Sequence, residues 1–192
     1  MSSTAIIRLN RKGFDIWLKI RGLGKQSLKE YKSFVSGKRQ EVLDSLSDSL
    51  RELRESEGVK EAVLFLCLSE LVASFCRLPR MKKEDLLKAV PFELEGSLPL
   101  SPDEYIHRAT YLGGSEEEQE VLCLSLLKGR YEELVALFQE AGVSLHGVRV
   151  WSMYLIPEAT KRIVAGGRDD FLFIFKEGQD WVVGSVRDGK LS

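Results

Sequence analysis

The chain has 192 residues, 44% of them hydrophobic and 30% charged, with a formal net charge of −1. That composition excludes a disordered tail, a collagen-like fibre and a disulfide miniprotein, and the length suffices for one full domain or two small ones. The overall balance is silent about partners, but its distribution is not. Residues 1–40 hold ten Lys and Arg (Arg8, Arg11, Lys12, Lys19, Arg21, Lys25, Lys29, Lys32, Lys38, Arg39) against Asp15 and Glu30, an excess of eight positive charges. Such an asymmetry predicts a surface with two electrostatic faces.

Residues 4–9 and 14–20 are short apolar-rich runs joined by Arg11-Lys12-Gly13, a hairpin signal. Gly22-Leu23-Gly24 breaks the chain, and residues 28–35 add a third strand. From 39 to 57, Leu43, Leu46, Leu50 and Leu53 recur at helical spacing with Val42 beside them, and Gly58 follows as a stop. The near-continuous apolar run 62–68 predicts a central strand covered on both faces. A further strand at 71–78 ends in Leu78-Pro79-Arg80-Met81. The helix that follows, 82–95, carries Leu86, Leu87, Val90 and Leu94 on one side, with Pro91 inside it as a kink.

After a loop at 96–102 come two strands, 104–112 and 119–127, separated by Gly113-Gly114 and an acidic run. An amphipathic helix at 130–140 stops at Gly142, a strand spans 143–150, a helix 151–164, and a last hairpin pairs 171–175 with 181–186. The β-β-α-β block 97–150 has its own small hydrophobic set. It reads as a subdomain inserted between a first part, 1–96, and a returning helix and hairpin, 151–192. That hairpin leaves an open edge at Ser192, so the expectation is a fragment of a longer protein or a fold that a partner completes.

Three cysteines, Cys67, Cys76 and Cys123, are an odd count without C-x-x-C, which fits buried thiols in a reducing cytosol. The longest apolar run, 62–73, is interrupted by Ser69 and Glu70 and is too short to span a bilayer; the N-terminus lacks the apolar core of a signal peptide. Gly24-Lys25 and Gly37-Lys38 lack the earlier glycine of a phosphate-binding loop, and Gln26 and Arg39 stand where it needs Ser or Thr. His107 and His146 are the only histidines, and neither has a partner at metal-ligand spacing. No G-x-S-x-G nucleophile motif is present. The expectation is therefore no catalytic, cofactor or metal site. Trp17, Trp151 and Trp181 read as core or half-buried strand residues, and no basic–aromatic alternation or recognition motif points to nucleic acid.

Four pieces recur in a recognisable order: Leu78-Pro79-Arg80-Met81, Phe92-Glu93-Leu94-Glu95, Leu98-Pro99-Leu100 and Ala141-Gly142. In that order and spacing the chain resembles the actin-like cytoplasmic proteins of bacterial secretion and pilus machines, the PilM type and the cytoplasmic domain of GspL. The resemblance implies an α/β, actin-like (ribonuclease H-like) core with an inserted β-β-α-β subdomain. Nucleotide-binding members carry Asp and Gly in a hairpin at the start of each half. By an ungapped placement Arg8 and Asn10 stand there in the first hairpin and Lys176-Glu177-Gly178 in the last, which favours the GspL branch.

What the resemblance then implies is a non-enzymatic scaffold without a cofactor, on the cytoplasmic side of the bacterial inner membrane. It would recruit the secretion ATPase (GspE-like) and contact GspM-like platform proteins. A homodimer stays open, and the basic N-terminal strands suit an anionic lipid surface. The alternatives are a PilM-type ATP-binding protein of type IV pilus assembly and a cytosolic enzyme on the same core. The expected docking surface is the outer strand of the inserted block with Glu104, Tyr105, His107 and Arg108, together with the acidic turn Glu116, Glu117 and Glu118, which as a solvated loop tip would need no partner.

Overall fold

The computed structural model describes residues 2–21, 26–166, 170–177, 180–187 and 190–191. The elements run β1 (Ser2–Asn10), β2 (Gly13–Arg21), β3 (Gln26–Val35), α1 (Arg39–Glu57), β4 (Glu61–Leu66) and β5 (Val72–Pro79). They continue with α2 (Lys83–Glu93), β6 (Tyr105–Gly114), β7 (Glu118–Leu127), α3 (Lys128–Glu140), β8 (Ser144–Val150), α4 (Ser152–Ala165), β9 (Phe171–Glu177), β10 (Asp180–Arg187) and β11 (Lys190–Leu191). Short 3-10 turns occupy Leu68–Glu70 and Pro102–Glu104. Through β10 the order of strands and long helices is the one the apolar periodicities predict; β11 is an addition to the expected final hairpin. The break at Gly22-Leu23-Gly24, Lys25 and the glycines Gly167 and Gly178 lie outside the described residues.

The chain divides into two compact units, one of residues 1–70, 132–154 and 177–180, the other of 71–131, 155–176 and 181–192. The first holds a five-stranded sheet in the order β3-β2-β1-β4-β8. β1, β2 and β3 form an antiparallel meander, while β4 runs parallel to β1 and β8 parallel to β4. Strand alternation sends Ala5, Ile7 and Leu9 of β1 and Phe14, Ile16 and Leu18 of β2 to one face, where all are buried. Helix α1 contacts β2 and β3 and contributes Val42, Leu43, Leu46, Leu50 and Leu53 to the same core. Each such side chain contributes roughly 1.5–3 kcal/mol by leaving water. Gly58, at φ 64°, closes α1 in the left-handed conformation, from which the chain turns into β4. The expected central strand is indeed interior, flanked by β1 and β8, with Ala62, Leu64 and Leu66 buried.

The second unit contains an antiparallel sheet in the order β5-β7-β6. Helix α2 covers one of its faces over a core of Cys76, Leu78, Leu86, Val90, Leu94, Leu98, Tyr105, Val121 and Cys123. Pro91 sits near the C-terminal end of α2, where few downstream turns remain to be disturbed. Strands β9, β10 and β11 form a third sheet, in the order β11-β10-β9.

This grouping differs from the division at 96/97 and 150/151. β5 pairs with β7 rather than joining the main sheet, so β5 and α2 belong with the block that follows them. β8 leaves that block and pairs with β4. Strand periodicity tells which residues alternate, not which sheet a strand enters.

Candidate functional site

The expected docking residues occupy the outer strand β6, the 3-10 turn before it and the β6–β7 turn. Glu104 ends the 3-10 turn and is exposed. Tyr105 instead turns inward and is 4% exposed in the α2 core. Residues 105, 107 and 109 share one face of β6, and that face lies under α2.

His107 is also committed internally. Its Nε2 lies 2.9 Å from the Pro102 carbonyl and its Nδ1 2.9 Å from Ser125 Oγ. A carbonyl only accepts, so Nε2 carries the proton; in the neutral ring Nδ1 accepts from the serine. The ring thus clips β6 to β7 and to the preceding turn. Arg108, on the opposite face, is exposed.

Glu116, Glu117 and Glu118 are all exposed, on a turn that the Ser115 hydroxyl shapes by accepting from the Glu117 and Glu118 N–H groups. Arg80 braces the turn, its N–H donating to Glu117 O and its guanidinium to Ser115 O. Of the seven expected residues, five therefore present side chains to solvent, and Tyr105 and His107 hold the scaffold.

The five-stranded sheet carries a second constellation. Matched registers line up Ser33, Asp15, Arg8, Phe65 and Arg149 in one row across β3, β2, β1, β4 and β8. Arg8 donates from Nε and Nη2 to Asp15 Oδ2, at 3.0 and 2.7 Å, and Ser33 Oγ donates to Asp15 Oδ1. The Arg8 guanidinium lies 5.5 Å from the Trp17 ring and 5.4 Å from Trp151, two indoles that stack nearly parallel at 6.1 Å. Arg149 lies 5.2 Å over Tyr154, and Phe65 meets both Trp151 and Tyr154 edge-on. The charge that stands where the resemblance placed an aspartate is thus spent on a carboxylate and two indoles.

Two carboxylates behind this row are buried. Glu70, its side chain 4% exposed, takes a two-pronged bond from Arg39, whose Nη1 also donates to Asn10 O. Burial pushes the Glu70 carboxyl above the ordinary range and Arg39 pulls it back. Glu177, at the end of β9, is fully buried and accepts the Leu68 N–H at 2.6 Å. The neighbouring Cys67 thiol is pushed up to about 12, by burial first and by the charge of Glu177 second. In the other unit Cys76 and Cys123 lie 3.6 Å apart, and burial raises both thiols, Cys123 to about 12. Thiols so disfavoured as thiolates are poor nucleophiles.

Among the described residues, basic side chains of the first forty find acidic partners in the pairs Arg8 with Asp15, Lys32 with Glu52, Lys38 with Glu41 and Arg39 with Glu70. Helix α1, through Glu41 and Glu52, and the turn after β4, through Glu70, thereby offset three of the eight excess charges. Among the described residues no group of three or more His, Cys, Asp and Glu side chains is arranged to hold a metal ion, and no helix is long and apolar enough to cross a membrane.

No family model matches the chain, and no curated protein matches it in sequence. Its fold has solved counterparts. The cytoplasmic domain of EpsL, an inner-membrane component of the type II secretion system of Vibrio cholerae, superposes with a TM-score of 0.64 at 13% identity, covering 99% of this chain and 70% of that one. The PilM–PilN type IV pilus biogenesis complex gives a TM-score of 0.74 at 14% identity, covering 97% of this chain and 58% of its counterpart. The chain therefore spans over half of each counterpart, and it has the actin-like fold they share.

Proposed function

We propose that this chain is a non-enzymatic platform module of a type II secretion system, working at the cytoplasmic face of the inner membrane and recruiting the secretion ATPase (GspE-like). The observation that carries the reading is the match of nearly the whole chain to the EpsL cytoplasmic domain. The state of Arg8 supports it: a guanidinium bound to Asp15 and packed on two indoles leaves that position no carboxylate to organise a metal-bound phosphate. GspM-like membrane proteins are the further partners, by analogy with the pilus complex, in which PilM is assembled with PilN. The inserted sheet is the docking surface, through exposed Glu104, Arg108, Glu116, Glu117 and Glu118.

The decisive experiment measures binding of the purified chain to the N-terminal region of its secretion ATPase, beside calorimetry with Mg-ATP. Binding of the ATPase without binding of nucleotide is expected. Sub-millimolar nucleotide affinity with hydrolysis would overturn the reading in favour of a PilM-type ATP-binding protein, which the higher TM-score of the pilus complex keeps as the second reading. Lipid attachment is tested separately by co-sedimentation with anionic vesicles, which the ion pairs of Arg8, Lys32, Lys38 and Arg39 should make weak.

A further inference from the structure

Strand β6 is an edge. Among the described residues it pairs with β7 on one side only, and β11 comes close to it while remaining in the sheet of β10. In an antiparallel ladder every second residue of such a strand aims its N–H and C=O away from the sheet. Natural edges are usually blunted by a bulge, a proline or a short length. β6 is ten residues long, has no proline, and is regular from Tyr105 to Tyr111, the register shifting only beyond Tyr111.

A groove of about 520 Å³ runs beside this edge, between β6 and α2. Four consecutive β6 residues, 108–111, line it. Consecutive strand residues point to opposite faces, so a groove lined by all four reaches the edge of β6; Gln119 of the central strand β7 lines it as well. Its apolar lining comes from Met81, Leu86, Leu87, Ala109 and Tyr111, of which Leu87 and Tyr111 are exposed. Its charged lining is Lys83 and Arg108, and no carboxylate lines it. Neither cation has an acidic partner among the described residues.

We infer that β6 and this groove receive an extended segment of a partner protein in which acidic and apolar side chains alternate. The segment adds a strand to β6 through main-chain hydrogen bonds. Its apolar side chains enter between Leu86, Leu87 and Tyr111, and its carboxylates meet Lys83 and Arg108. The inference deepens the docking reading above and rests on it only for the identity of the natural partner. Within that docking surface it assigns the extended segment to the cationic groove at Arg108, and leaves Glu104, Glu116, Glu117 and Glu118, which are outside its lining, to the rest of the interface.

The test uses the isotope-labelled chain and two synthetic peptides as long as β6, one alternating Val and Glu, the other Val and Lys. The Val/Glu peptide should shift and protect the amides of β6, and the Val/Lys peptide should not. N-methylation of alternate peptide residues should abolish binding in one register and spare it in the other. Lys83→Glu with Arg108→Glu should weaken binding by about fivefold while leaving the spectrum of the free chain intact, as expected for exposed charges. Equal binding of both peptides, indifference to N-methylation, or shifts confined to other elements overturns the inference. If the ATPase binds while the Val/Glu peptide leaves β6 unperturbed, the groove fails and the platform reading stands. If the peptide binds as described and the ATPase does not, the platform reading fails and the groove stands.

Discussion

Two grooves of similar size differ in what they offer a partner. One, of about 460 Å³, lies between α1 and α3 over Leu43 and Leu137, with Asp44, Asp48 and Glu140 among its rim. The other, of about 520 Å³, lies between α2 and β6. In the first, the rim is partly occupied with itself: Asp44 accepts from Gln40 and Asp48 pairs with Arg51. Both walls are helices whose inner backbone groups bond within their own turns. In the second, one wall is a strand at the end of its sheet, and the two lining cations have no acidic partner among the described residues. The two volumes are alike; what distinguishes the grooves is the hydrogen-bonding capacity their walls leave unspent.

The same contrast holds for the cations themselves. Arg8 and Arg39 are consumed in holding the five-stranded unit together, whereas Arg108 and Lys83 have no ion pair among the described residues. Substitutions should sort accordingly, by stability in one unit and by binding in the other. The largest loss is expected for Leu50→Ala, which empties a fully buried position under α1 and should cost roughly 3–5 kcal/mol in urea unfolding. Arg39→Ala should cost about 2–3 kcal/mol at neutral pH, because it removes the two-pronged, charge-assisted bond that offsets the burial of the Glu70 carboxylate.

That second deficit carries a pH signature. Burial already raises the Glu70 carboxyl above its ordinary 4.5, and losing Arg39 raises it further. The folded variant then binds a proton that the unfolded chain releases, so its stability falls as pH rises from about 4.5 through the raised value. Unfolding curves of parent and variant should converge toward acid pH; a pH-independent gap would mean the pair acts only through packing.

Smaller effects follow in the other unit. His107→Ala removes two internal hydrogen bonds and should cost about 1–2 kcal/mol in thermal or urea unfolding, while weakening any β6 ligand only through fraying of the strand. Arg108→Glu should change stability by less than about 0.5 kcal/mol. A large stability loss for Arg108→Glu would erase the distinction between the two regions. The smallest effect, none on β6 binding, is expected when Asp44 and Glu140 are changed to Lys, since their groove offers no strand edge; loss of peptide affinity there would move the docking site to α1 and α3.

Much of this architecture is legible in the sequence because it is local. Val42, Leu43, Leu46, Leu50 and Leu53 announce α1 and its buried stripe, and all five are buried. The Arg8–Asp15 bond was also within reach, since a two-residue turn at Arg11-Lys12 places those residues opposite each other in the hairpin. The rest depends on long-range pairing. Nothing local to 72–79 says that it will pair with β7, or to 144–150 that it will run parallel to β4. Tyr105 was misplaced for the same reason: β6 alternates apolar and polar residues weakly, so only the position of α2 decides which face is inside. The cationic groove combines residues 81–87 with 108–111 and 119 and exists only after that packing.

The stacked indoles have an optical and kinetic consequence. Trp17 lies in the first hairpin and Trp151 follows β8, so their stack forms only after the chain has made its whole excursion through the second unit and closed β8 onto β4. Closing so long a loop is entropically slow relative to forming the hairpin. With Trp181, which is exposed, replaced by Phe, indole emission becomes a clock for the final closure of the five-stranded sheet. A stopped-flow refolding trace should then show the β1–β3 meander, followed by far-ultraviolet circular dichroism, appearing before the fluorescence settles.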